Sequence, residues 1–432
     1  MNTTTQKKNY LLPIIMMIAL FGMISFVTGL ANPMGVIVKN QFTTSNFMST
    51  LGYFANFIAY AFMGYPAGQM LQKIGYKKTA LWAIFIGFAG VGIMVLAGES
   101  SSFIVYLIGA FVAGFSMCML NTVVNPMLNT LGGGGNKGNQ LIQVGGSFNS
   151  LMATIVPVLV GYLIGSNVAN ANITDAYPAL FLAMGIFALA FIVLFFVSIP
   201  EPSLSARKQN VKHEHSPFAF RHFVLGAVAI FLYVGIEVGI QMFINPFMTS
   251  SVADGGLAYN PTIAGSVVGT YWFLMLIGRL IGASIGGKVS SKTMLTVVSI
   301  MGIIFVLAAV FTPIEKMASM PVFQSDISFG IVQIPVSIIF LVLCGLCTSV
   351  MWGGIFNLAV EGLGKYTEAA SGFFMVMVMG GGVLPAIQGV FADRIGYINS
   401  YWVIIIALIF LLYYALIGSK NVNTNIPVTD EN

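Results

Sequence analysis

Charge is what this sequence has least of. Only 7% of its 432 residues are Asp, Glu, Lys or Arg, where a soluble globular domain carries roughly 25%. A chain so poor in charge cannot clothe a water-facing surface. With 57% hydrophobic residues and a mean hydropathy of +0.91, lipid is the expected solvent for most of it. Cysteine is almost as scarce. Cys118, Cys344 and Cys347 each lie inside an apolar run, which excludes a disulfide framework. Cys344 and Cys347 form a CxxC, but no polar or basic setting surrounds it, so it reads as helix packing and not as a redox or metal pair. The three histidines, His213, His215 and His222, sit in or beside one polar connector and form no metal site. A phosphate loop is missing too: Gly132–Gly135 lacks the GxxxxGK[ST] pattern, so ATP-driven transport is not expected. Alternating segments of about ten residues, the mark of a membrane barrel, are also absent.

What the sequence does have is apolar runs of about twenty residues, the length of a spanning helix. In hydrocarbon every backbone polar group must be paired internally, which a helix achieves within one segment. Twelve such spans fall near 12–30, 48–70, 79–96, 102–128, 141–164, 177–197, 223–249, 263–287, 293–311, 332–360, 371–391 and 401–417. The first outlasts a signal-peptide core and precedes no convincing cleavage site. The fold class is therefore an all-α membrane protein, twelve transmembrane helices in two six-helix bundles. The bundles are 1–199 and 222–432, joined by a polar linker at 200–221. With the N-terminus cytoplasmic, fourteen of the 18 basic residues fall in inward-facing connectors, three (Lys39, Lys316 and Arg394) face outward, and Arg279 is embedded. That bias predicts cytoplasmic termini and accounts for the net charge of +5 without nucleic acid.

The halves carry matching punctuation. GYPAGQMLQKIGYKK (64–78) follows helix 2, and GRLIGASIGGKVSSK (278–292) follows helix 8. Pro157 and Gly161 in helix 5 match the spacing of Pro385 and Gly389 in helix 11. A six-plus-six repeat is the sign of alternating-access transporters, whose halves rock about a midplane site. Polar residues recur along single helix faces. Tyr233, Glu237, Gln241 and Asn245 recur at intervals of four, as do Asn121, Asn125 and Asn129; Ser25, Thr28 and Asn32, and Tyr53, Asn56 and Tyr60, add two more faces. Helices 5, 10 and 11 contribute Gln140, Gln143, Ser147, Asn149, Trp352, Asn357 and Gln388. Any one of these can instead be a helix-to-helix bond, worth only about 0.6 kcal/mol; their convergence is what points to a chamber. Amides donate and accept, and aromatic faces suit the C–H face of a sugar, so a neutral polyhydroxylated ligand fits.

Glu237 is the only acid placed deep in a span, and an embedded carboxylate is a functional hypothesis by default. It could carry a coupling proton, bind a cation, accept ligand hydroxyls, or serve as a neutral structural acid. The substrate-binding candidates are Asn32, Asn56, Asn121, Asn125, Gln143, Asn149, Glu237, Gln241, Asn245, Trp352 and Asn357. Glu237 doubles as the coupling candidate. Gating is assigned to Arg279, placed near the cytoplasmic end of helix 8, and to Lys73 and Lys77.

The set of motifs resembles a known family. GYPAGQMLQKIGYKK is similar to the helix 2–3 connector of the major facilitator superfamily. LNTVVNPMLNTLG (120–132), GSFNS (146–150), FLYVGIEVG (231–239), GRLIG (278–282), and IFNLAVEGLG followed by MGGGVLPAIQG (355–389) resemble its fucose–galactose–glucose permease branch. The resemblance spans nearly the whole chain and implies a multi-pass sugar permease of the bacterial inner membrane, functional as a monomer. No cofactor is called for beyond a coupling H+ or Na+. Departures matter. Asn32 and Asn121 stand where the proton-coupled fucose permease has acids, and neither titrates. Glu237 matches a position where several glucose-type relatives have Glu. The Gly145–Gly146 pair replaces an expected glutamine and predicts room for a larger ligand. The expected function is import of a hexose or deoxyhexose, uniport or cation symport. A larger acidic or N-acetylated sugar such as sialic acid is the alternative; the lack of a mid-membrane Arg weighs against an anion. Export of hydrophobic compounds, suggested by the Met-rich FFMVMVMGGG of helix 11, and a sensor or channel are the remaining readings.

Overall fold

The computed structural model describes residues 10–42, 46–164, 172–201, 215–324 and 328–428. The basic residues Lys7, Lys8, Arg207, Lys208 and Lys212, and His213, lie outside them, as do the side chains of Asn32, Lys39, Tyr53, Pro157 and Gly161.

The first half comprises α1 (Leu11–Phe42), α2 (46–74), α3 (76–100), α4 (Phe103–Leu131), α5 (Gly135–Ile164) and α6 (Tyr177–Phe196). The second comprises α7 (Arg221–Thr249), α8 (Pro261–Ile285), α9 (Ser291–Phe311), α10 (Val336–Val360), α11 (Gly364–Ile395) and α12 (Asn399–Gly418). Among the described residues ten helical stretches are long and apolar enough to cross a membrane. One of these holds both α2 and α3, and the polar α5 completes the twelve. Large apolar side chains such as Phe62, Phe85, Ile104, Phe196, Ile304 and Ile406 point outward, a surface that suits acyl chains and not water.

Local chemistry explains the breaks. Gly75 divides α2 from α3 at φ 88, a left-handed conformation that costs glycine little. The next two backbone N–H groups, of Tyr76 and Lys77, donate to the Glu201 carboxylate at 3.0 and 3.1 Å. That satisfies orphan donors and sets an anion at the positive end of α3. Packing relies on small residues: the backbones of α2 and α11 approach at Gly68 and Gly372 so closely that a Cβ on either would overlap the other's main chain.

One element differs from expectation. Residues 332–335 belong to a strand, not to helix 10. β1 (Met317–Phe323) and β2 (Phe329–Pro335) form an antiparallel hairpin between α9 and α10. Its apolar residues, interrupted by Gln333, lead into the helix, so the sequence reads as one long span. Pro335 marks the true boundary, preceding the first turn of α10. The hairpin lies on the face opposite the end of α6 and the start of α7; these two sides are the hairpin face and the linker face.

Candidate functional site

A cavity of about 550 Å³ lies between the halves, within the size range of small-molecule sites. Its first-half wall comes from α1 (Ser25, Thr28), α2 (Asn56, Phe57, Tyr60), α4 (Asn121) and α5 (Gln143, Gly146, Asn149, Ser150, Thr154). Its second-half wall comes from α7 (Tyr233, Glu237), α8 (Ser266, Trp272, Arg279), α10 (Ser349, Trp352, Gly353), α11 (Val378) and the hairpin (Phe323, Gln324). The lining runs from mid-membrane to the hairpin, and the cavity opens on that face.

On the linker face the halves are tied together. Asn129 Nδ2 donates to Asn357 Oδ1 at 2.7 Å, Gln140 Nε2 to Ala283 O at 3.0 Å, and Gln143 Nε2 to Val350 O at 3.0 Å. Trp352 Nε1 donates to Asn125 Oδ1 at 2.9 Å. The turn at Ser349 and Val350 interrupts α10 and offers carbonyls to the other helices: Val350 O takes Gln143, and Ser349 O takes Arg279 Nε at 3.3 Å. A buried carbonyl needs such a partner.

The two charged groups of the wall lie in the second half. The Tyr233 hydroxyl donates to the Glu237 carboxylate one turn away and also interacts with Arg279. Arg279 Nη1 donates to Gly146 O at 2.9 Å and Asn149 Oδ1 at 3.2 Å. The Trp352 ring meets Tyr233 at 6.2 Å between centroids. On the first-half wall, Asn121 Nδ2 donates to the Tyr60 hydroxyl at 2.8 Å, which leaves the phenolic proton for a ligand.

The similarities fit this geometry. The model of the Major Facilitator Superfamily matches residues 14–384. The chain is 30% identical to the glucose/galactose transporter of Brucella abortus biovar 1 (strain 9-941), covering 97% of each. It is 24% identical to the L-fucose-proton symporter of Escherichia coli (strain K12), covering 91% of this chain and 90% of that one. A crystal structure of the transporter FucP in the outward conformation superposes with a TM-score of 0.78 at 18% identity, over 95% of this chain and 100% of that one. This chain belongs to the major facilitator superfamily, in its fucose–galactose–glucose permease branch.

Of the candidates read from this permease's sequence, Asn56, Asn121, Gln143, Asn149, Glu237 and Trp352 line the cavity. Asn125 and Asn357 lie off its wall, bonded into the linker-face contact. Gln241 and Asn245 also lie off it, and Asn245 is exposed. A four-residue step turns a helix by about 40° more than one full turn, so the α7 stripe drifts off the cavity after Glu237. The side chain of Asn32 is outside the described residues.

Arg279 stands six residues before the end of α8 at Ile285, and its side chain reaches the cavity floor at 8% exposure. Of the Gly145–Gly146 pair, a Cβ on Gly145 would strike Phe21 and Leu128, whereas Gly146 lines the cavity beside Arg279. Of the lysines, Lys77 Nζ donates to Phe195 O at 2.7 Å within the first half, and Lys73 is exposed at the end of α2. Sequence reasoning missed Phe323 and Gln324 altogether. They come from a connector in which nothing but alternation of apolar residues announces a strand.

Proposed function

We propose that this permease imports a neutral monosaccharide, a hexose or deoxyhexose, by alternating access coupled to cation symport. One observation carries the reading: a cavity with amide, hydroxyl, carboxylate and indole walls opens to one face while amide-to-carbonyl bonds close the other. Mixed donors and acceptors suit hydroxyls, and Trp352 offers an aromatic face for the apolar side of a pyranose. The relatives named as glucose/galactose transporters and L-fucose-proton symporters support the same class. Glu237 is the group that would exchange the coupling ion, H+ or Na+. The Lys and Arg bias supports cytoplasmic termini, which makes the hairpin face external. The setting is the bacterial inner membrane, with lipid around a functional monomer.

A larger acidic sugar gains one support and loses another. Arg279 supplies a cation on the cavity wall for such a ligand, but it is already bonded to Gly146 O and Asn149 Oδ1 and shares its field with Glu237. For a hydrophobic exporter the Met-rich run of α11 offers little, because it gives the cavity only Val378 while Met375 is packed in the core. Radiolabelled hexose uptake, competed by glucose, fucose, N-acetylglucosamine and sialic acid, tests the assignment. Competition by glucose or fucose is expected; competition by none of the four removes the sugar reading.

A further inference from the structure

Arg279 belongs to the second half but spends its guanidinium on the first. Nε is moored to Ser349 O in its own half, while Nη1 reaches across to Gly146 O and Asn149 Oδ1 on α5. The crossing is open because residue 146 has no side chain: a Cβ there would already touch Arg279 Cδ at 3.5 Å, and anything longer would stand in its path. All three acceptors are uncharged, so releasing them breaks no ion pair.

Behind the crossing lies a second observation. Asn139, one turn before Gln143 on α5, is fully buried against α10 at Gly353, and neither atom of its amide has a partner. A desolvated amide without partners destabilises the closed arrangement. Water or a new partner would satisfy it once the linker face parts. The closed face therefore carries a cost that its cross-half bonds must outweigh, and losing one of them shifts the balance toward opening.

We propose that Arg279 is the latch that ties occupancy of the cavity to opening of the linker face. Its guanidinium forms part of the cavity floor, so the hydroxyls of a bound polyhydroxylated ligand compete directly with Gly146 O and Asn149 Oδ1. When the ligand wins, the α5–α8 contact loses its central tie and the desolvated Asn139 drives the face apart. Such an exchange of one set of neutral acceptors for another is close to balanced, which is what a reversible gate requires. In this role Arg279 is a positioning residue, and Gly146 is the position that admits it.

The test keeps Asn139 and uses Ser147→Cys as a reporter, a buried residue one turn beyond Gln143 on α5 whose hydroxyl bonds to Gln143 O of its own helix, in the full-length permease with its three native cysteines replaced by alanine, probed with a soluble maleimide. With Arg279 present and no sugar, the reporter is expected to be protected. Arg279→Gln and Gly146→Leu should each raise its labelling rate about tenfold, the effect of losing one charge-assisted hydrogen bond. Gly146→Ala, whose added carbon makes only an ordinary contact, should leave the rate near that of the parent. Continued protection in both Arg279→Gln and Gly146→Leu overturns the latch. The coupling to ligand rests on the sugar reading, and it predicts that a transported sugar raises labelling in the parent; a sugar that is taken up without doing so overturns that part. The sugar-free arms stand whatever the substrate is, so failure of the sugar assignment, read from uptake competition, is a separate result.

Discussion

The two halves face one cavity with different chemistry. The first half offers only neutral groups: the hydroxyls of Ser25, Thr28 and Tyr60, and the amides of Asn56, Asn121, Gln143 and Asn149. The second half supplies the carboxylate of Glu237, the guanidinium of Arg279 and the indole of Trp352. The connectors differ as well. α3 and α4 are joined by two residues, whereas a hairpin joins α9 to α10 and reaches the cavity rim. A shared architecture has thus been divided by task. The neutral wall can recognise hydroxyls without a charge to desolvate, and the charged wall can couple recognition to an ion and to the gate.

That division is broken most directly by Glu237→Gln. The amide keeps the size and can still meet Tyr233, but it cannot exchange a proton or balance a cation. Concentrative uptake is expected to vanish, with counterflow of labelled sugar across the membrane retained. Accumulation equal to that of the parent would mean that coupling does not reside in the second half. Trp352→Ala is the next largest change. It removes an aromatic face, worth up to about 1.5 kcal/mol, so the half-saturation concentration should rise by roughly tenfold; the indole N–H it also removes is bonded to Asn125 across the halves and not to ligand. Tyr60→Phe tests the neutral wall. It deletes the hydroxyl that accepts from Asn121 and leaves that buried amide short of a partner. A rise of about fivefold in half-saturation at unchanged accumulation is expected. Lost accumulation instead would place coupling in both halves.

Much of this was legible in residue order, for reasons that lie in the bilayer. Lipid imposes helix length and internal pairing, so the spans and the two-bundle division could be read from apolar runs and basic turns. Burial in grease made the polar faces visible too, and Asn56, Asn121, Gln143, Asn149, Glu237 and Trp352 all reach the cavity. What stayed hidden needed the partner half. Asn125 and Asn357 look like ligand groups until each is seen bonded across the interface. Gly146 looks like mere space until Arg279 is seen to pass beside it and bond to its carbonyl. Gln241 and Asn245 keep the spacing of a stripe, but helical drift carries them away from the wall. The hairpin was hidden because a strand entering an apolar helix looks like more of the helix.

The hairpin gives the smallest effect and the sharpest test of how far the second half extends. The Phe323 ring stacks on Phe273 of α8 at 5.0 Å and 5° between planes. Its backbone N–H donates to Thr270 Oγ1 at 2.8 Å. The hairpin is therefore fastened to α8 by a main-chain bond that survives substitution and by a ring that does not. Phe323→Ala should loosen the rim without detaching the hairpin, and a stacked pair is worth about 1 kcal/mol beyond its buried area. Only part of that reaches the ligand, so half-saturation should rise by about threefold while the maximal rate and accumulation hold. An unchanged half-saturation would make the hairpin a cover for α8 alone, and the recognition surface would then end at the membrane helices.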